Sequence, residues 1–221
     1  NLEVNFNIIL HQGREIVVNT FPMGIDYKKF EISALESVKK DDSKISELKK
    51  QINTHKLENK GKLILSIDRL DYTKGVVNRL LAFERFLDTY PQYRDKIRLV
   101  MLAVPSRSKV AQYKKLKRQT DEVVGRINGK FASVNWTPVW YYYRSMEFEN
   151  LIDLYVSSDV AMITPLRDGM NLVAKEYLAT RINNDGVLIL SELAGSSKEL
   201  PQALLVNPFD IEQLSLSLIH I

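Results

Sequence analysis

From about residue 60 onward, short apolar runs alternate with stretches whose apolar residues recur at helical spacing. KLILSI (62–67) reads as a buried strand, and in VVNRLLAFERFL the residues Val76, Leu80, Phe83 and Leu87 fall on one helix face. IRLVMLAV (97–104) is the next strand, followed by a long polar helix over about 109–128. TPVWYYY (137–143) is a third strand, and the helix after it carries Phe148, Leu151, Ile152 and Tyr155 on one face. VAMITP, a helix around LVAKEYLATR, GVLILS and ALLVNP complete the series. Strands that are continuously apolar are covered on both faces, as in parallel sheets flanked by helices. The pattern therefore predicts an α/β, Rossmann-like parallel sheet with helices on both faces. In such sheets ligands bind beyond the carboxyl ends of the strands. No internal repeat is present.

The stretch 31–60 breaks this rhythm. VKKDDSKISELKKQINTHKLENK mixes both charges with few apolar residues, so one or two surface helices with a loop are expected there, a solvated face and not a site. Composition narrows the class further. The 221 residues are 45% hydrophobic and 26% charged, ordinary globular values that exclude disordered, collagenous and coiled-coil chains. No apolar run reaches the roughly 20 residues of a membrane-spanning helix, and no signal peptide opens the chain. With no cysteine there are no disulfides or thiolate metal ligands, which suits a cytoplasmic protein. The 31 Lys and Arg against 27 Asp and Glu give +4, mildly favourable to anionic ligands and far from a nucleic-acid footprint. The basic helix near Lys114 to Arg118 does not change this, because Asp121 and Glu122 follow and no aromatics interleave the charges.

Three strand ends carry unusual chemistry. DRLDYTKG (68–75) supplies Arg69 and Lys74 just before a helix, a setting that holds phosphates and offsets developing negative charge. Asp68 and Asp71 are expected to cap that loop or orient Arg69. In TPLRDGMNLVAKEY (164–177), Gly169 would allow positive φ or a close backbone approach, and Asn171 would cap the helix. The N–H groups of Asn171, Leu172 and Val173 would then face a ligand. Asp168 accepts hydrogen bonds only and so suits sugar hydroxyls; Glu176, about one turn in, can accept from two adjacent hydroxyls. VPSRS places Arg107 just beyond the strand IRLVMLAV, where it reads as a surface cation. His11, His55 and His220 are isolated, with no metal-ligand spacing, and no Walker or GxSxG loop occurs.

FPMGID, SIDRLDYTKG, VPSRS, GRINGKF with WTPVWY, and TPLRDGMNLVAKEY occur in an order and spacing that closely resembles the trehalose-6-phosphate synthases, retaining glycosyltransferases of GT-B fold (glycosyltransferase family 20). The resemblance runs from about Phe21 to Asp210. It implies transfer of glucose from UDP-glucose to glucose 6-phosphate, giving α,α-trehalose 6-phosphate and UDP, with no cofactor and no metal. By the same resemblance Arg69 and Lys74 hold the donor diphosphate and Asp168 contacts the donor glucose. Asn171, Leu172 and Val173 offer backbone N–H groups, and Glu176 grips the ribose hydroxyls. Arg107 reaches the acceptor phosphate, and the loop from Arg144 to Met146 lies where the family reads the uracil edge.

On this reading residues 1–20 are a remnant or linker from a preceding N-terminal domain, and 21–221 are the donor-binding domain. The family's first half, with its glycine-containing loop and most acceptor contacts, is not recognised ahead of Phe21. SLIHI does not resemble the charged return helix, so the end is expected to be a truncation or a cloning scar. The chain alone is expected to bind a uridine nucleotide weakly and not to turn over. The N-terminal domain of the same enzyme is the expected partner; a phosphatase domain in the parent chain and homo-oligomers are compatible with the resemblance. Two other readings keep the site but change the outcome: a GT-B enzyme with another donor base or acceptor, and a regulatory synthase-like subunit. The presence of Arg69, Lys74, Asp168 and Glu176 together argues against the latter.

Overall fold

The computed structural model describes residues 2–5, 7–40, 46–59, 61–107 and 109–220. Residues 1, 6, 41–45, 60, 108 (in VPSRS) and 221 lie outside them. Nine strands and seven α-helices are assigned among the described residues. Residues 2–17 form an antiparallel meander of β1 (Leu2–Asn5), β2 (Ile8–His11) and β3 (Arg14–Val17), on the stretch expected to be a linker. Its second turn is Gln12-Gly13, both at positive φ (50° and 75°), the two-residue arrangement whose twist matches paired strands.

α1 (Tyr27–Lys39) and α2 (Glu47–Asn59) follow, then β4 (Lys62–Arg69), α3 (Val76–Thr89), β5 (Ile97–Val104), α4 (Ala111–Phe131), β6 (Val139–Tyr142), α5 (Phe148–Ser157), β7 (Val160–Ile163), α6 (Leu172–Ala179), β8 (Val187–Ser191), β9 (Leu204–Val206) and α7 (Ile211–Ser217). The main sheet is parallel throughout, in the order β6-β5-β4-β7-β8-β9. β4 to β6 build outward on one side, and the chain then returns so that β7 pairs with β4 on the other. That reversal is the topological switch point, where a crevice opens beyond the strand ends.

Side-chain alternation along the buried strands feeds two cores. Ile64, Leu99, Met101 and Met162 pack with Leu80, Phe83, Ile127 and Leu214 on the face covered by α3, α4 and α7. Leu63, Leu65, Val100, Leu102 and Ile163 pack with Ile52, Ile152, Tyr155, Ala174 and Tyr177 on the other. α4 continues past the expected end at Asn128 because Val123, Ile127 and Phe131 prolong its buried stripe. At the far end Leu214 and Leu218 are fully buried, whereas Ile219 of the SLIHI segment is exposed.

The charged stretch 31–60 departs from the solvated face expected. Ala34 and Ile52 are fully buried, and Lys49 is nearly so. Asp153 of α5 accepts from Ser37 Oγ at 2.6 Å and Ser46 Oγ at 2.9 Å, while Lys49 Nζ stands 3.7 Å away and donates to the Ser37 carbonyl at 2.5 Å. A buried carboxylate is tolerated only with such compensation. The few apolar positions of α1 and α2 are therefore assisted by a polar clamp onto α5.

Candidate active site

The strand-end loops are joined by backbone. The amides of Leu166 and Arg167, after β7, both donate to the carbonyl of Thr73, after β4 (2.8 and 3.1 Å). Gly195 N–H donates to the Asp168 carbonyl at 2.9 Å and Ser196 N–H to the Met170 carbonyl at 2.8 Å, which brings in the loop after β8. Two glycines permit these approaches. Gly75 has φ 65°, and a Cβ there would lie 2.5 Å from the Thr164 carbonyl oxygen. At Gly195 a Cβ would stand 2.0 Å from the Gly169 carbonyl oxygen. The close approach expected of Gly169 exists, but the glycine requirement falls on its partner Gly195: Gly169 has open space around it and no positive φ. The positive φ belongs to Asn171 (66°), an amino acid tolerant of that region. Asn171 Oδ1 accepts from the Ala174 N–H at 3.1 Å, capping α6 as expected. Leu172 and Val173, in the first turn of α6, have no carbonyl one turn back to receive their N–H groups.

Between these loops lies a cavity of about 400 Å³, at the switch point. Arg69, Lys74, Asp168, Asn171, Leu172, Val173 and Glu176 line it, with Asp68 and Tyr155. Seven of the ten expected site residues thus meet in one place, from segments about a hundred residues apart. Lys74 Nζ donates to Asp168 Oδ2 at 2.5 Å, and Asn171 Nδ2 donates to the same oxygen at 3.1 Å. Arg69, the last residue of β4, is exposed and makes no ion pair or side-chain hydrogen bond among the described residues. Tyr155 donates its hydroxyl to Glu176 Oε2 at 2.7 Å.

Asp68 has a different partner from the Arg69 expected. Its Oδ2 accepts from Arg79 Nη2 at 2.5 Å, and its Oδ1 stands 3.9 Å from Lys74 Nζ. Arg79 is fully buried and also donates to Ser66 Oγ at 2.6 Å and to the Lys74 carbonyl. Burial raises the Asp68 carboxyl above its ordinary value, against the pull of Arg79 and Lys74. Asp71 does cap its loop, accepting from the Thr73 N–H at 2.9 Å, and accepts from the Tyr113 hydroxyl at 2.8 Å. Partial desolvation raises the Asp71 carboxyl, but these hydrogen bonds outweigh it and hold it below the usual range.

The other three expected residues lie outside this cavity. Arg107 (φ 43°) is exposed, and its Nη1 donates to the Tyr113 hydroxyl at 3.2 Å, so it reaches the β4 loop through Tyr113 and Asp71. Arg144 and Met146 line a neighbouring hollow of about 420 Å³ with Ser46, Glu47 and Leu48, and the Arg144 guanidinium lies 5.1 Å from the Tyr142 ring centroid. Both flank the start of α5, whose Leu151 and Tyr155 line the first cavity.

Sequence reasoning missed Gly195, Arg79, Tyr113 and the polar use of Tyr155. Arg79 and Tyr155 sit at apolar-face positions of their helices and carry no local signal. Among the described residues no group of three or more His, Asp or Glu side chains could hold a metal ion, and no helix is long and apolar enough to cross a membrane.

The chain is 48% identical over 209 residues to a bifunctional trehalose-6-phosphate synthase/phosphatase of Thermoproteus tenax, covering 95% of this chain and 28% of that protein. It superposes on an α,α-trehalose-phosphate synthase (UDP-forming) of Burkholderia xenovorans in complex with glucose-6-phosphate with a TM-score of 0.86 at 38% identity, over 96% of this chain and 46% of the other. A trehalose-6-phosphate protein from E. coli bound with UDP-2-fluoro glucose gives 0.88 at 36% identity, over 100% and 47%. The chain therefore spans under a third of the first relative and just under half of the other two. The family model of glycosyltransferase family 20 matches residues 1–220, beginning ahead of the recognisable motifs. With its parallel sheet and the loop motifs gathered at the switch point, the chain belongs to glycosyltransferase family 20.

Proposed function

We propose that this chain is the donor-binding half of a trehalose-6-phosphate synthase. The enzyme transfers glucose from UDP-glucose to glucose 6-phosphate with retention and releases UDP. The observation that carries the reading is the single cavity at the β4/β7 switch point. There, two cations and the start of α6 face a carboxylate, Asp168, suited to hydroxyls, and a second carboxylate, Glu176, one turn further in.

Each residue then has a task. Arg69 and Lys74 neutralise the diphosphate, and their charge, with the N–H groups of Leu172 and Val173, stabilises the negative charge that grows on departing UDP. No metal is needed where side-chain cations already occupy that role. Asp168 accepts from the glucose hydroxyls, and Glu176 from the ribose. Arg144 and Met146, from the adjoining hollow, take the uracil end. Arg107 binds the phosphate of the acceptor. The acceptor attacks from the face the diphosphate leaves, so no protein nucleophile is required. The other half of the enzyme closes over the cavity and completes the acceptor site. The relatives from Burkholderia xenovorans and E. coli, with glucose-6-phosphate and a UDP-sugar analogue bound, support both substrate assignments. The Thermoproteus tenax relative supports a synthase that can be joined to a phosphatase.

The test is steady-state turnover in a full-length protein carrying this chain. UDP-glucose and glucose 6-phosphate yield trehalose 6-phosphate, and Arg69→Ala costs about 2–4 kcal/mol at the transition state. Near wild-type turnover in Arg69→Ala contradicts the assignment. Trehalose 6-phosphate synthesis by the 221-residue chain alone contradicts the half-enzyme reading.

A further inference from the structure

The Tyr155–Glu176 hydrogen bond joins two helices across the wall of the cavity. Tyr155 belongs to α5 and Glu176 to α6, and both line the space. Tyr155 is 1% exposed, and its ring lies in the core beside Tyr177, with centroids 6.5 Å apart. The ring has no freedom to aim elsewhere, and its hydroxyl donates to Glu176 Oε2 at 2.7 Å. Burial, reinforced by the neighbouring carboxylate, pushes this phenol well above its ordinary pKa, so it remains a donor at every working pH.

We infer that Tyr155 is a positioning residue that fixes Glu176 for the ribose hydroxyls and thereby makes the site prefer a ribonucleoside diphosphate over its 2′-deoxy counterpart. This rests on the proposed function, in which Glu176 meets the ribose. A glutamate carboxylate has about four lone-pair sites, and one phenol occupies one of them. Two vicinal hydroxyls can still be accepted, one through Oε1 and one through the remaining Oε2 site. Left alone, a glutamate side chain loses substantial rotamer freedom when it is fixed by a ligand. Tyr155 imposes that loss during folding, before a nucleotide arrives, which is how preorganisation improves affinity. Satisfying a buried phenol would explain the bond equally well in structural terms alone, so the test must read ribose selectivity and not only stability.

The chain, Tyr155→Phe and Glu176→Ala are titrated calorimetrically with UDP and with 2′-deoxy-UDP, with thermal melts confirming that each variant is folded. The chain prefers UDP, and Glu176→Ala abolishes the preference. Tyr155→Phe keeps the ring but weakens UDP about three- to tenfold, as expected when binding must itself immobilise the glutamate side chain. It affects 2′-deoxy-UDP less, so the ratio shrinks. If Tyr155→Phe keeps the full ratio, or weakens both nucleotides equally, while Glu176→Ala abolishes it, the inference fails and the functional reading stands. If Glu176→Ala keeps the ratio, the assignment of Glu176 fails as well. Should Tyr155→Phe not fold, Tyr155→Met carries the same comparison, since it removes the hydroxyl, fills much of the ring's space and leaves Glu176 unchanged.

Discussion

Lys74 already has an anionic partner before any substrate arrives, since Asp168 Oδ2 lies 2.5 Å from its ammonium. A diphosphate would have to share that cation with a carboxylate of the same sign as itself. Asp168→Asn should therefore strengthen UDP binding about two- to tenfold, the size of one nearby like charge at a partly exposed site, while lowering glucosyl transfer. Calorimetry and turnover on the same preparations check it, and weaker UDP binding would mean that Asp168 meets the nucleotide and not the sugar. Gly195 gives a second prediction at this scale. A methyl there would have to displace the Gly169 carbonyl, and overpacking of this kind costs about 1–3 kcal/mol. Gly195→Ala should lower the urea midpoint, whereas Gly169→Ala, with open space, should leave it nearly unchanged. The residues of the site were legible where chemistry and loop position coincide, as in Arg69, Lys74, Asp168 and Glu176. Gly195 was not, because its role is set by contact with Gly169, the residue at which the sequence itself points to a close backbone approach.

The elements were legible because the buried strands are continuously apolar. β5 falls on IRLVMLAV residue for residue, and β4 extends the expected run by only Asp68 and Arg69. β6 is shorter than expected, pairing from the Pro138 carbonyl, which accepts from the Leu99 N–H, to Tyr142. The meander β1–β3 passed unnoticed, although Gln12-Gly13 between two apolar-rich segments is a hairpin signal. What sequence cannot display is how elements are fastened through polar side chains. Arg79 holds β4, the Lys74 loop and α3 together while fully buried, and its partner Asp68 would be stranded without it. Breaking a buried pair from one side costs about 3–5 kcal/mol. Arg79→Met should lose that much in chemical denaturation, and adding Asp68→Ala should restore part of it; no loss in the single variant would show that Asp68 is already neutral.

For the whole molecule, acid is a predictable weakness. His55 of α2 is buried, with Gly61 against its ring, where a Cβ would come within 2.5 Å. Burial, with the charges of Arg98 and Lys56, lowers its pKa from 6.5 to about 4, against the Lys62 backbone and Asp159. The unfolded chain therefore binds a proton that the folded chain refuses, and stability falls as the pH drops from about 6.5 towards 4. His55→Gln should lose less stability than the wild type between pH 7 and pH 5, by urea denaturation, and equal losses would exclude His55 as the cause. On the proposed function, half of a glycosyltransferase folds with its nucleotide site already assembled. The most direct measurement is calorimetric titration of the chain with UDP, ADP and GDP at low salt, beside Arg69→Ala. UDP should bind, weakly but more tightly than the other two, and more weakly still without Arg69. No binding of UDP, or binding indifferent to Arg69, would rule out a preassembled donor site.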